Sequence, residues 1–412
     1  MYPILETILS EWLTFPIPKL VTRDFSLDVT PFQHARQIFV VSGLRRSGKT
    51  FCVYQTINEL LTIHNRQQIV YINFEDERIP QETGVLTDLM PTIIKAYGQK
   101  PLYLFLDEVQ NIPLWSKWLR RMFDTHRDVW FIVSGSSSKI SSREIPTELR
   151  GRSLERPVYP LSYAEYERFH PDQPDSFRQY LVYGGLPAVV LAQEGEKREL
   201  LQGIMETIIQ RDVIDRYEIS NEAALRTTFK LLLSSGMVTV SKLYNSLKSI
   251  GTQVGKTTVN HFLRYFEDAY FLNQLYLYAP SVRAKLQYPR KTYFIDNGFL
   301  TAMSVKFGPN YGRLLENLVY WQLFKKHGDA LHYYRDERGE VDFCVLENGR
   351  AVSLYQVCYD LSDFETRDRE VHALRRVGKR LGVTDLTLIS GQIGEQAKEK
   401  GIKVLDPMEI LD

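Results

Sequence analysis

Cysteine is scarce in this chain of 412 residues: only Cys52, Cys344 and Cys358 occur, no two at metal-ligand spacing. That excludes a zinc module and a disulfide-stapled scaffold, and it leads us to expect a reducing, cytoplasmic setting. Long apolar runs are missing too. None approaches the roughly 18 residues that a membrane span needs, so no membrane partner is expected. The opening Met1-Tyr2-Pro3-Ile4 lacks the basic stretch and apolar core of a signal peptide, and residues 4–14 read as a short amphipathic helix. Charge of one sign is not in excess. The formal net charge is +1, so the chain as a whole is no trap for nucleic acid, and any such surface must be local. Low-complexity segments and internal repeats are absent. What remains has an ordinary globular composition and is long enough for about two or three domains.

Gly43-Leu44-Arg45-Arg46-Ser47-Gly48-Lys49-Thr50 has the spacing Gly-x-x-x-x-Gly-Lys-Thr of a phosphate-binding loop. Before it, Gln37-Ile38-Phe39-Val40-Val41 suits a buried parallel strand. After it, Val53, Tyr54, Ile57, Leu60 and Leu61 follow helical spacing. Strand, loop and helix are the order in which backbone N–H groups can wrap phosphates at a helix N-terminus. The nucleotide-binding candidates are therefore Gly43, Arg45, Arg46, Ser47, Gly48, Lys49, Thr50 and Phe51. Lys49 is expected to reach the β- and γ-phosphates and Thr50 to offer its hydroxyl to Mg2+.

Gln68 to Phe74 is a second strand candidate, ending in Glu75-Asp76-Glu77. Leu102-Tyr103-Leu104-Phe105-Leu106 is a third, followed at once by Asp107-Glu108, the Walker B arrangement. There Asp107 would serve the Mg2+ shell and Glu108 would orient the attacking water. A fourth strand, Val129 to Val133, leads to Ser136, a candidate sensor of the γ-phosphate. Arg150 and Arg152 are candidates for stabilising transition-state charge, supplied in cis or in trans.

Joined to Phe105-Leu106-Asp107-Glu108-Val109-Gln110-Asn111, Ser134-Gly135-Ser136-Ser137, Leu149-Arg150-Gly151-Arg152, Pro160-Leu161-Ser162-Tyr163 and Tyr183-Gly184-Gly185-Leu186-Pro187, the loop resembles the prokaryotic AAA-type ATPases of archaea and bacteria. The resemblance covers nearly the whole chain. It implies a core in which the catalytic Glu follows the Walker B Asp. It also implies ATP as the nucleotide, with which the lack of an Asn-Lys-x-Asp motif agrees.

Residues 195–235 read as helical. Val240 to Leu247 and Thr257 to Phe271 read as two further helices, and Asn273–Tyr278 with Thr292–Ile295 as a hairpin, the order of a winged helix-turn-helix. Gly251 to Thr257 imitates a second phosphate loop but has three residues between its glycines and no strand before it, so we reject it. Instead Lys256, Thr257, Thr258, Asn260 and Arg264 become candidate DNA contacts on a recognition-type helix. Between 241 and 293 eight basic residues face two acidic ones, a local patch that the whole-chain charge hides.

In the last third, a helix around Glu316, strands at 332–335, 339–345 and 353–359, and later strands at 386–389 and 402–405 resemble the restriction-endonuclease-like fold. Active members hold Mg2+ through an Asp and a following Glu, with a Lys two residues on. Here Glu316 and Asp342 are in place, but the third position is the neutral Gln356 and the Lys position is Cys358. Lys325, Lys326 or Arg335 could supply a migrated cation.

The expected fold is α/β: an AAA-type ATPase domain (1–190), a helical lid or linker (191–235), a winged helix (236–300) and a degenerate nuclease-like domain (301–412). The function expected is Mg2+-dependent ATP hydrolysis coupled to duplex DNA or a protein partner, with a homo-oligomer if the arginine acts in trans. Two further expectations stand beside it: a slow nucleotide-gated switch for a protein partner, and an ATP-dependent DNA nuclease.

Overall fold

The computed structural model describes residues 2–27, 29, 36–135, 147–171, 174–279, 281, 288–303, 310–392 and 399–411. The chain divides into two compact units, residues 1–161 with 268–270, and residues 162–267 with 271–412.

The first unit is built on a parallel sheet of β1 (Ile38–Ser42), β2 (Ile69–Asn73), β3 (Tyr103–Asp107), β4 (Trp130–Ser134) and β5 (Ser153–Pro157), in the order β2-β3-β4-β1-β5. The inner strands are near-continuous apolar runs because both faces are covered. Ile38 and Val40 pack towards α1 (Pro3–Thr14), α3 (Thr83–Tyr97) and α4 (Trp115–Thr125), whereas Phe39 and Val41 pack towards α2 (Lys49–Leu60). Helix α1 is pinned by Trp12, whose indole N–H donates to the Ile69 carbonyl at 2.6 Å. The register sets Asp107 opposite Asn73 and Ser134, and Ser134 opposite Val41. The carboxyl ends of these strands, where open α/β sheets bind ligands, therefore lie at one level.

The second unit opens with α5 (Tyr163–Phe169), α6 (Ser176–Tyr183), α7 (Glu194–Thr207) and α8 (Glu222–Ser234), with a π-helical stretch at Ile208–Ile214. The glycines after α6 have a concrete cause. Asp296 is buried and accepts the backbone N–H of Gly185 and of Gly298, each at 2.8 Å. Gly184 has φ 77°, and a Cβ there would lie 1.8 Å from the Asp296 carboxylate.

A small antiparallel sheet follows, in the order β6 (Met237–Val238), β8 (Arg290–Phe294), β7 (Leu272–Leu275), with α9 (Val240–Ser249) and α10 (Lys256–Asp268) between its first strand and its hairpin pair. Beyond α11 (Asn297–Ala302) and α12 (Tyr311–His327) lies a second five-stranded sheet. Its strands β9 (Leu331–Asp336), β10 (Gly339–Glu347) and β11 (Arg350–Asp360) form an antiparallel meander, and β12 (Asp385–Gln392) and β13 (Lys403–Leu405) continue it in parallel. Helix α13 (Phe364–Leu381) buries Val371, Leu374 and Val377 in a core with Val341, Cys344 and Leu354. On the other face Tyr320 of α12 stacks on Tyr293, with ring centroids 4.0 Å apart. No described helix is long and apolar enough to cross a membrane.

Candidate nucleotide site

The Gly43–Thr50 loop joins β1 to α2, and its backbone needs its glycines. Gly43 has φ 140°, and a Cβ there would sit 2.3 Å from the Val158 carbonyl oxygen. Gly48, at φ 96°, caps the N-terminus of α2. Arg46 adopts φ 68° without being glycine. Lys49 is buried, and its ammonium donates to the carbonyls of Gly43 at 3.2 Å and Leu44 at 3.0 Å, the loop's own backbone. The buried Ser47 hydroxyl has no hydrogen-bond partner among the described residues. Arg45 pairs with Glu75 at 3.5 Å, and Phe51 is exposed.

Asp107 is the hub of the site. The Thr50 hydroxyl donates to its Oδ2 at 2.9 Å, the Tyr71 phenol to the same oxygen at 2.9 Å, and Ser134 to Oδ1 at 2.5 Å. Burial first, then the Asp107 charge, pushes the Tyr71 phenol far above its ordinary range, so it remains a donor. Glu108 stands beside Asp107 in a left-handed conformation at φ 52°. Its N–H donates to Ser134 O at 2.7 Å, and its carboxylate accepts from the Gln110 amide. Burial raises the Glu108 carboxyl above its ordinary value, against the pull of Lys49. The oxygen donors of Thr50 and Asp107 suit a hard cation such as Mg2+. The unpaired Ser47 hydroxyl and the start of α2 suit phosphate oxygens.

Two residues of this site carry no local sequence signal, and Ser134 is legible only as the start of the serine-glycine run, without its role on Asp107. Tyr71 reads as an ordinary strand position. Arg23 is buried far from the loop in sequence and donates to the carbonyls of Ser47 at 3.1 Å and Tyr159 at 2.9 Å, bracing the loop from behind.

Ser136 lies outside the described residues. Arg150 and Arg152 are not brought to the loop of their own chain. They precede Ser153, which pairs with Ile38 at the amino end of β1, a strand length of roughly 13 Å from the phosphate loop. Arg150 is exposed, and Arg152 pairs with Asp124 at 3.5 Å.

Helix α10 turns Val259, Phe262, Leu263 and Phe266 inward. It leaves Lys256, Thr257, Asn260 and Arg264 exposed and Thr258 half-buried. The basic surface around it is smaller than the residue count suggests. Lys291 is buried, Arg290 is half-buried against Gln274, and Arg283 and Lys285 lie outside the described residues. Lys242 and Lys248 remain exposed beside Lys256 and Arg264.

Glu316 and Asp342 do come together, around the ammonium of Lys291, which Glu340 also meets while lying 3.9 Å from Arg335. Gln356 sits at the same place. Its side-chain oxygen accepts the Asp342 N–H at 3.1 Å, and its amide donates to Glu370 at 2.7 Å. Burial raises the Asp342 carboxyl to about 7 despite Lys291. Among the described residues no group of three His, Cys, Asp or Glu side chains is arranged to hold a metal ion.

Residues 35–167 match the AAA domain family, and residues 174–310 match a domain of unknown function (DUF8612). The chain is 30% identical over 390 residues to the uncharacterized protein MJ1544 of Methanocaldococcus jannaschii, covering 90% of this chain and 84% of that protein. It is 27% identical over 394 residues to an uncharacterized protein of Haemophilus influenzae, covering 91% and 94%. Among solved structures it is similar to the replication initiator DnaA bound to AMPPCP and single-stranded DNA, at 15% identity over 63% of this chain and 86% of that one, with a TM-score of only 0.30. The chain belongs to the family of the Methanocaldococcus jannaschii protein.

Proposed function

We propose that this protein is a Mg2+-dependent ATPase whose nucleotide cycle is coupled to duplex DNA through the second unit. The observation that carries the reading is the convergence of Thr50, Ser134 and Tyr71 on Asp107, with Glu108 alongside, at the mouth of a loop whose lysine rests on its own carbonyls. In the resting loop Lys49 donates to backbone carbonyls, and phosphate oxygens are better partners because the bonds become charge-assisted on both sides. Arrival of ATP draws Lys49 to the β- and γ-phosphates, with the backbone N–H groups of Gly48 and its neighbours and the Ser47 hydroxyl around them. Thr50 and Asp107 would hold Mg2+, which would neutralise charge on the phosphates. Glu108 leaves Gln110, orients water in line with the γ-phosphate and accepts its proton as the oxygen attacks the γ-phosphorus, the bond to the β-phosphate oxygen breaks, and ADP and inorganic phosphate leave.

Arg150 and Arg152 act in trans in this reading, on the site of a neighbouring copy, because their own loop lies at the other end of the sheet. Helices α9 and α10 with strands β6 to β8 serve as a winged helix, and Lys256, Thr257, Thr258, Asn260 and Arg264 form its DNA face. The α12–β13 region serves as a nuclease-like binding module. The test is ATP turnover with and without duplex DNA at two salt concentrations. DNA should raise the rate at low salt, and Lys256→Ala with Arg264→Ala should abolish the rise while leaving basal turnover intact. Equal stimulation in the variant removes α10 as the DNA face.

The contact of Glu108 with Gln110 supports a second reading, a slow nucleotide-gated switch for a protein partner. A general base held by a hydrogen bond hydrolyses slowly until something releases it. Tight, stoichiometric retention of ATP with little turnover is its signature.

A further inference from the structure

Away from the nucleotide site, the densest buried charge is in the second unit. Glu316 of α12 and Glu340 and Asp342 of β10 converge on one atom, Nζ of Lys291 on β8, at 2.9, 2.6 and 2.7 Å. An ammonium has three N–H donors, and here each has its own carboxylate. Neighbouring groups add further contacts, with Arg335 3.9 Å from the second oxygen of Glu340. Tyr293 donates to Glu316 at 2.7 Å, and the Val357 N–H donates to the second Asp342 oxygen at 3.0 Å. Gln356, at the third ligand position, is committed to the Asp342 backbone and to Glu370. Only 7% of the Lys291 side chain is exposed. A buried lysine is destabilising unless its charge is fully met, so a lone buried lysine would not stay here as a bystander.

We propose that Lys291 is the resident cation of this pocket: its ammonium stands where a nuclease-like site would hold a divalent ion, so the module engages its ligand without metal-dependent cleavage. The same contacts fasten β8 of the small sheet to the α12–β13 region. A divalent metal does not fit alongside Lys291, since Oε1 of Glu316, Oε1 of Glu340 and Oδ1 of Asp342 already face its nitrogen at hydrogen-bond distances. The comparison with a nuclease rests on the nuclease-like reading of this module. The occupancy of the pocket by Lys291 does not.

The test uses the full chain without nucleotide, with Mn2+ as the probe and free Mn2+ read by electron paramagnetic resonance. The wild type should leave millimolar Mn2+ free. Lys291→Met, which keeps the length of the side chain and removes its charge, should gain one bound Mn2+ per chain, and Lys291→Met with Asp342→Asn should lose it again. Mn2+ bound by the wild type and released by Asp342→Asn overturns the proposal, as does a folded Lys291→Met chain that gains no ion. Should Lys291→Met not fold, Fe2+ with ascorbate on the wild type decides the matter: backbone cutting near Glu316 or Asp342 overturns the proposal, and its absence there supports it. Duplex DNA affinity of the Mn2+-loaded variant separates the two readings. A rise supports both, because the ion then faces phosphate. A gained ion with unchanged DNA affinity upholds Lys291 as the resident cation and removes the nuclease-like reading.

Discussion

Tyr71→Phe removes one oxygen atom and tests the hub of the nucleotide site. The ring stays, so packing between Trp12 and Tyr54 is kept, with centroids at 5.6 and 5.2 Å from that of Tyr71. What is lost is the hydrogen bond of 2.9 Å to Asp107, together with the phenol's hydrogen bond with Tyr54. Bonds to a charged group contribute about 1.5–3 kcal/mol. Asp107 keeps Thr50 on the same oxygen and Ser134 on the other, so the low end applies, about 1.5 kcal/mol. In the resting state this is a loss of stability. In turnover it matters again, because Thr50 then serves Mg2+ and only Ser134 and Tyr71 still orient Asp107. Mg2+ dependence of ATP hydrolysis at saturating ATP should therefore shift by about tenfold, the rate equivalent of about 1.4 kcal/mol. ATP binding in the presence of a chelator should be unchanged, since the bonds that are lost run to Asp107 and Tyr54 and not to the loop. The assays are urea unfolding and a Mg2+ titration of the rate. A variant that loses stability but keeps the wild-type Mg2+ dependence would refute the assignment of Asp107 to the metal.

Three other outcomes follow from the same geometry. Lys49→Ala should abolish hydrolysis in a steady-state phosphate-release assay, and full activity would sink the site. Arg23→Ala leaves the Ser47 and Tyr159 carbonyls without their donor, so the Michaelis constant for ATP should rise several-fold with a smaller change in turnover number; an unchanged constant would mean that the loop needs no brace. Asp296 gives a pH signature. Burial lifts its carboxyl to about 6 from 3.8, even though three backbone N–H groups favour the charged form. The folded state therefore prefers the proton. That contribution is full below about pH 4 and is lost as pH rises through about 6, for a total of roughly 3 kcal/mol. Asp296→Asn cannot titrate, so its unfolding free energy should lack this fall between about pH 4 and 7 in chemical denaturation. Parallel pH profiles for the two proteins would contradict the assignment.

The sequence signals that worked were local ones. Runs such as Ile38–Val41 and Leu102–Leu106 are apolar because both faces of the sheet are covered, and the glycines of the loop follow from φ and from close backbone approach. The paired helices at 240–249 and 256–268 were legible from their spacing for the same reason. Strand β5, Ser-Leu-Glu-Arg-Pro, was not, because an edge strand is only half-covered and carries polar residues and a terminal proline. The placement of Arg150 and Arg152 follows from that strand, so their distance from the loop was hidden with it. Arg23, Tyr71 and Lys291 act on partners 24 to 136 residues away, and no local pattern announces such contacts. Lys291 in particular reads as part of a basic patch until the fold turns it towards Glu316, Glu340 and Asp342.

The central claim is that Glu108 works on water beside an Asp107-held metal. The measurement that tests it most directly is steady-state ATP hydrolysis by wild type and Glu108→Gln, paired with nucleotide binding to each. We expect turnover in the wild type, and in the variant undiminished ATP binding with turnover reduced by at least about a hundredfold, the scale of a lost general base. Equal turnover in the two proteins would contradict the account, and loss of ATP binding in the variant would mean that Glu108 holds the site together rather than preparing the water.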